Sequence, residues 1–369
     1  MKRLHTFIIF LLAWGFIVPV LSHASPTPAY RRDIRAMGMG NAYTALSRGS
    51  SALFYNPAGL GRSRFGLEIA GMKIAVNRRI ENVLTFVQNN QDNFNDFQTL
   101  TPEQSNQFLS DMDSFDDQYV GFGLNPEISL TMFHFGLASY VDFRPDLRLD
   151  KGIYVPRIYL KGYLDWVTAF GYGRSFDVPG LDNFQAGIAF KYIQRREIKE
   201  MKVGAGDISE MNTLGNTLLD TLKTPMTGFA TDVGFMFTPV NNMDVGVAIQ
   251  NLGSLDGESF PMSVNIGTAY NVANLSNLPI ISSVLLTGDI RDAFNSTGVN
   301  YFNHLSLGAE FKIPVISLRA GINQGYVTTG FGVNFFLLHL DYAYFGRELG
   351  TAPGFKPDFN HVLELKIGI

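Results

Sequence analysis

Cysteine is absent from the 369-residue chain, which excludes disulfides, thiolate metal sites and a lipidated N-terminal cysteine. Charge is scarce. With 17% charged residues, 13% aromatics and a net charge of -4, the chain carries neither the signature of disorder nor a nucleic-acid footprint. Histidine is also sparse: six in all, two of them within the first 24 residues, and no HExxH pairing. That spacing excludes a dedicated zinc site. Long apolar runs are confined to Phe7 to Leu21, which follows Lys2 and Arg3 and precedes the small-residue stretch Ser22-His23-Ala24. This arrangement predicts a signal peptide over 1-24, with the mature chain starting near Ser25. Beyond it no segment offers 18 uninterrupted apolar residues, so a membrane could be crossed only by a closed sheet.

What is present is alternation. In Asn303 to Phe311, Leu305, Leu307, Ala309 and Phe311 share one face, and His304, Ser306, Gly308 and Glu310 share the other. Met243, Val245, Val247 and Ile249 oppose Asp244, Gly246, Ala248 and Gln250 in the same way, as Leu363, Leu365, Ile367 and Ile369 oppose Val362, Glu364, Lys366 and Gly368. The pattern predicts fourteen strands, near 65-76, 126-133, 135-147, 157-175, 184-195, 226-238, 242-252, 261-271, 280-291, 302-313, 315-324, 326-336, 338-346 and 360-369. Connections after the even-numbered strands read as short turns, for example Asp177 to Asn183, Pro239 to Asn242 and Ile313 to Pro314. Several others are long: 77-125, 196-225 and 347-359. This asymmetry predicts an all-β fold, a 14-stranded antiparallel transmembrane barrel over 65-369, in a bacterial outer membrane with both termini on the periplasmic side. The apolar last residue, Ile369, suits recognition by the barrel assembly machinery.

Two of the long loops carry helix signals. Thr101-Pro102-Glu103-Gln104 reads as a capping box with proline at the first helical position, ahead of Phe108, Leu109, Met112 and Phe115 on one face. Asp207 to Glu210 precedes Ile208, Met211, Leu214, Leu218 and Leu222. These faces could pack on each other as a lid or form a greasy external funnel.

The stretch from Arg35 to Gly61, RAMGMGNAYTALSRGSSALFYNPAGLG, alternates nowhere and has no room for a long helix. Its glycines permit close backbone approach, and Pro57 restrains Asn56 to extended geometry. It reads as a compact, turn-rich plug, and a barrel of fourteen strands needs one to avoid leaking. Gly38-Met39-Gly40-Asn41-Ala42, with Ala52-Leu53-Phe54-Tyr55-Asn56-Pro57-Ala58-Gly59-Leu60, resembles the N-terminal signature of the FadL/OmpP1 outer-membrane transporters and of the related PorV/PorQ and UPF0164-like barrels. The resemblance implies a hatch over 25-64 lying inside the barrel, with Phe54, Tyr55, Asn56, Pro57, Ala58 and Gly59 as hatch and ligand residues. It also implies that a strand kink, here at Pro145 in Asp142-Phe143-Arg144-Pro145-Asp146, opens the wall sideways to the membrane.

Catalytic chemistry is not written in the chain. Glu68, Asp142, Arg144, Lys161, Asp165, Lys191, Asp232, Glu310, Arg319, Asp341, Glu364 and Lys366 fall on inward strand positions with mixed signs, which fits paired charges solvating an interior and binding the plug. His304 and Ser306 have the His-x-Ser spacing of outer-membrane phospholipase A, without that family's flanking residues and with no third group. Gly38-x-Gly40 lacks the strand and third glycine of a nucleotide loop. No cofactor is expected. The expected partners are outer-membrane lipid and a hydrophobic small molecule or lipid, of fatty-acid or aromatic type, passively transported through the hatch-gated barrel. The alternative is a PorV/PorQ-like shuttle or scaffold whose loops bind a secreted protein.

Overall fold

A computed structural model describes residues 33–115, 118–152, 155–204, 225–272 and 282–369. The expected signal peptide, 1–24, and the helix expected at 207–222 lie outside them. The strands are β1 (Gly66–Asn77), β2 (Tyr119–Met132), β3 (Phe135–Asp150), β4 (Arg157–Val178), β5 (Leu181–Val203), β6 (Met226–Val240) and β7 (Met243–Leu255). They continue with β8 (Glu258–Ser259), β9 (Ser263–Asn271), β10 (Ser283–Ile290), β11 (Leu305–Lys312), β12 (Ile316–Asn323), β13 (Tyr326–Phe335), β14 (Leu338–Glu348) and β15 (Pro357–Gly368).

Each strand pairs antiparallel with its sequence neighbours, β15 pairs with β1, and β7 pairs with both β6 and β9. The two-residue β8 only extends the outer end of β7, so the ring closes on fourteen strands. All fourteen coincide with the expected segments. Two run further than expected: β2 begins at Tyr119 and β5 reaches Val203. One starts later, because Tyr301–His304 is a 3-10 turn ahead of β11. The connections at the end where the chain terminates are short, such as 133–134, 179–180, 241–242 and 336–337; the exception is 272–282.

Alternation decides the faces. Leu305, Leu307 and Phe311 are exposed while Ser306 and Glu310 are buried, and Leu363, Leu365 and Ile367 are exposed beside buried Val362 and Glu364. Exposing apolar side chains outward would gain nothing in water, so an apolar outer face with a polar inner one inverts the soluble pattern. Exposed aromatics stand at both rims, Phe65, Phe133, Phe135, Phe176, Phe335 and Phe336 at the terminal end and Phe229, Phe294, Tyr301, Phe302 and Phe355 at the other, and also mid-strand at Trp166, Phe190 and Phe331.

At that second end β2 to β5 rise beyond their neighbours, and their outward residues are covered. Val120, Leu147, Ile158 and Leu160 continue the outward alternation of exposed Phe122 and Leu124, or pair with residues that do, yet all four are buried. Their cover is the 78–118 connection, with α1 (Ile80–Asn89), α2 (Gln91–Asn95) and α3 (Pro102–Met112), whose Val83, Val87, Phe94, Phe108 and Met112 pack on them. The capping box on α3 is present, Thr101 accepting from the Gln104 amide and Gln104 from that of Thr101. These helices therefore clothe the outer wall of the raised strands.

Candidate functional site

The segment from Asp33 to Ser63 crosses the inside of the ring. One short helix, Ile34–Gly38, packs on β13 and β14, while the 3-10 turn Pro57–Arg62 packs on β4, β5 and β6. In the ring order β5 and β13 stand seven places apart among fourteen, so the segment spans the diameter. It has too few residues to satisfy its own backbone, and the inward side chains of the wall supply the partners.

Those partners come from all round the barrel. Asp289 accepts from the Tyr43 and Thr44 amides, both at 2.8 Å, and from the Thr44 hydroxyl at 2.7 Å. Thr328 accepts from the Gly40 amide at 2.9 Å, and Gln250 donates to the Phe54 carbonyl at 2.8 Å and that of Tyr55 at 3.2 Å. Glu310 takes both prongs of the Arg35 guanidinium, at 2.8 and 2.7 Å, and also receives Arg319 at 2.9 Å, which reaches on to Asp341 at 2.5 Å. Arg62 pairs with Asp244 at 2.5 Å. Gly40, with φ of +64°, sits so close to the Leu307 and Ile322 carbonyls that a Cβ would overlap both.

Within the segment, Asp33 caps the short helix, accepting from the Arg35 and Ala36 amides, and receives the Ser51 hydroxyl. The Tyr55 hydroxyl donates to Asn41 at 2.9 Å and accepts from the Asp33 amide at 3.2 Å. Burial, reinforced by the Asp33 carboxylate, pushes the Tyr55 hydroxyl well above its ordinary value; burial does the same to Tyr43.

The six residues expected to form the site separate into two groups. Asn56, Pro57, Ala58 and Gly59 are fully interior. Asn56 accepts from the Ala58 amide at 3.1 Å and donates to the Thr44 carbonyl at 3.0 Å and the Phe235 carbonyl at 3.1 Å. It ties the turn to β6. Phe54 and Tyr55 instead border a cavity of about 280 Å3 on the far side of the segment, with Asn41, Gln250, His304 and Arg347. Phe54 also meets Tyr140 edge-on at 5.4 Å within a buried apolar wall that includes Val167, Ile193, Leu255 and Phe260.

Beyond this cavity the raised strands enclose another of about 520 Å3 with a charged and aromatic lining. There the Lys161 ammonium lies 3.2 Å from the Tyr119 ring centroid, and the Arg195 guanidinium 5.3 Å from that of Tyr163. Inward charges pair as their mixed signs suggested: Lys191 with Asp232, Arg195 with Asp165 at 2.6 Å, and Lys366 with Glu68 and Glu364, both at 3.2 Å. Lys73 and Glu127, which sequence reasoning passed over, join that last group. Their signal was available, since Glu127, Ser129 and Thr131 alternate with Ile128 and Leu130.

His304 and Ser306 do not pair with each other. The His304 ring meets Asn295 at 3.0 Å and the Ser306 hydroxyl meets Asn323 at 3.3 Å. Pro145 lies buried within β3, facing Gly162 of β4 in unbroken register. Toward β2 the register is the same on either side of it, Gly121 opposite Asp146 and Leu124 opposite Phe143.

No protein-family model matches the chain, and no curated protein does. Solved structures do. The chain is similar to the deltaS2S3 mutant of TodX, a monoaromatic hydrocarbon channel, with a TM-score of 0.53, 11% identity, and 91% of this chain and 98% of that one covered. The TodX deltaS2 mutant gives 0.52 at 10% identity over 91% and 97%. The toluene transporter TodX of Pseudomonas putida gives 0.50 at 12% identity over 94% and 99%. Likeness at this identity is one of fold, and it covers nearly the whole of each chain: this protein shares the barrel fold of the TodX channels.

Proposed function

We propose that the protein resides in the bacterial outer membrane and passes hydrophobic small molecules inward by passive diffusion, with the Asp33 to Ser63 segment as its hatch. The observation that carries this reading is Phe54, which stands between a cavity on the far side of the segment and the apolar inner wall of β3 to β7. A ligand of fatty-acid or aromatic type would replace the Phe54 contact with Tyr140. Burial of its apolar surface, at roughly 25 cal/mol per square ångström, supplies the binding free energy without an energy source. Asn56 through Gly59 then serve as the hinge that holds the hatch to β4, β5 and β6, and Pro145 marks the place where the wall yields if release is sideways. The outward apolar belt between aromatic rims supports placement in a membrane, and the hydrocarbon channels of the same fold support the ligand class.

The test is uptake of labelled long-chain fatty acid and toluene by cells that express the protein, alongside native mass spectrometry of the purified barrel. Phe54→Ala should lower uptake and bound ligand at least tenfold while the barrel still assembles. Unchanged uptake in Phe54→Ala, or a barrel that co-purifies with a secreted protein and excludes small ligands, would favour a shuttle of the PorV/PorQ kind.

A further inference from the structure

The outward face of β1, β14 and β15 differs from the rest of the belt. Val76 of β1 faces His361 of β15, Ile74 faces Leu363, Met72 faces Leu365 and Ala70 faces Ile367, while Tyr344 of β14 faces His361 from the other side. Exposed Met72, Ile74, Leu363 and Leu365 thus lead up to an aromatic strip. In it Tyr344 stacks on Phe359 at 5.7 Å, His361 lies against Tyr344 at 5.1 Å, and the His361 ring bonds the Tyr342 hydroxyl at 2.8 Å.

Arg78 closes the top of the strip. It continues the outward alternation of Ile74 and Val76, sets its guanidinium 4.8 Å from the Phe359 ring centroid, and donates to the Tyr344 hydroxyl at 3.1 Å. No carboxylate of the described residues pairs with it. An arginine held on an aromatic platform, with its other donors unpaired among the described residues, is a fork for a phosphate.

Lower on the same face the wall is dented. The register of β1 shifts between Glu68 and Gly71 against β2, and between Glu68 and Ala70 against β15. The resulting bend, beside Pro126 of β2, leaves an outward depression of about 390 Å3 bordered by Met72, Ile128, Val141, Leu365 and Ile367, which Glu127, Ser139 and Tyr140 also line. Six residues of strand separate Arg78 from Met72, roughly 20 Å at about 3.3 Å each. For a strand tilted by about 40°, that spans roughly 15 Å of depth, half of a ~30 Å hydrocarbon core.

We infer that this face binds one phosphorylated lipid of the outer leaflet, its phosphate on Arg78 and one acyl chain running over Ile74 to end in the depression beside Met72. The inference rests on the outer-membrane reading above. The charge of Arg78 and the apolar depression are complementary to the two ends of such a lipid, and they lie one leaflet apart.

The experiment uses the full barrel purified from outer membranes and stripped of lipid by detergent exchange. Lipid A, intact or enzymatically dephosphorylated, is added back and counted by native mass spectrometry. Wild type should hold one intact lipid A and bind the dephosphorylated form at least tenfold more weakly. Arg78→Ala should lose the same factor, Arg78→Lys should recover part of it, and Ala70→Phe, which fills the depression, should weaken both forms; heat-modified gel migration confirms that each variant is folded. Equal binding of both lipids, or full retention by Arg78→Ala, overturns the inference. A folded outer-membrane barrel with no lipid sinks this proposal alone, whereas absence of the protein from outer-membrane fractions sinks the transport reading with it.

Discussion

The Asn56 carboxamide oxygen occupies the space that a side chain at Gly234 would need: a Cβ there would overlap Asn56 Oδ1. The internal segment and the wall are thus fitted to each other at one named pair. Gly234→Ala should push the Pro57–Arg62 turn off β6 at a cost of about 1–3 kcal/mol, the range for overpacking a tight site. Limited proteolysis of the folded barrel would report it as new cleavage between Asp33 and Ser63; an unchanged digestion pattern would show that the wall gives way instead.

Asn56→Ala removes the cap of that turn and its bonds to the Thr44 and Phe235 carbonyls. A lost cap costs about 1 kcal/mol, and the buried Thr44 carbonyl left without this donor about 1–3 more. The strands make none of these bonds among themselves, so the barrel should still assemble while the hatch loosens and uptake changes. Outer-membrane fractionation and uptake, measured together, check this: a barrel missing from the membrane would assign the residue to assembly.

Arg35 and Glu310 form the two-pronged pair that anchors the other end of the internal segment, and Arg319 and Asp341 extend it. Glu310 is buried, whereas Arg35 keeps about a third of its side-chain surface. A double-mutant cycle with Arg35→Met and Glu310→Gln should therefore yield a coupling of about 1–3 kcal/mol, below that of a wholly buried pair. Thermal unfolding in detergent measures it, and a coupling near zero would reduce the pair to a solvated contact.

Tyr43 and Tyr55 are held above the ordinary tyrosine value by burial, so the folded state favours their neutral form. Stability from this source is whole below the unfolded value of about 10 and is lost as pH rises from there toward the raised folded value. The hatch should accordingly loosen in alkali before the barrel does, and Tyr55→Phe should shift that loosening to higher pH. Phenolate absorbance recorded against proteolytic release of the segment gives the order; simultaneous loss of hatch and barrel would refute it.

The alternation of Leu305 with Ser306, or of Leu363 with Glu364, was legible because a strand's faces repeat every two residues and need no knowledge of the partner strand. The capping box of Thr101 and Gln104 was legible for the same local reason. The plug was recognisable by its lack of either period. Its bonds were not, since Arg35 meets a carboxylate 275 positions away and Gly40 a hydroxyl 288 away.

The sequence by itself determined fourteen strands and their inner and outer faces, both consequences of short-range pattern; the place of the internal segment was implied only by the family resemblance. Only the tertiary structure decided that Asn56 ties the internal segment to the wall while Phe54 and Tyr55 border a cavity, and that the α1 to α3 helices clothe the outside of the raised strands. It also decided that Arg78 stands above a dent in the wall. Ring closure brings those groups together, and closure depends on register between strands that share no local signal.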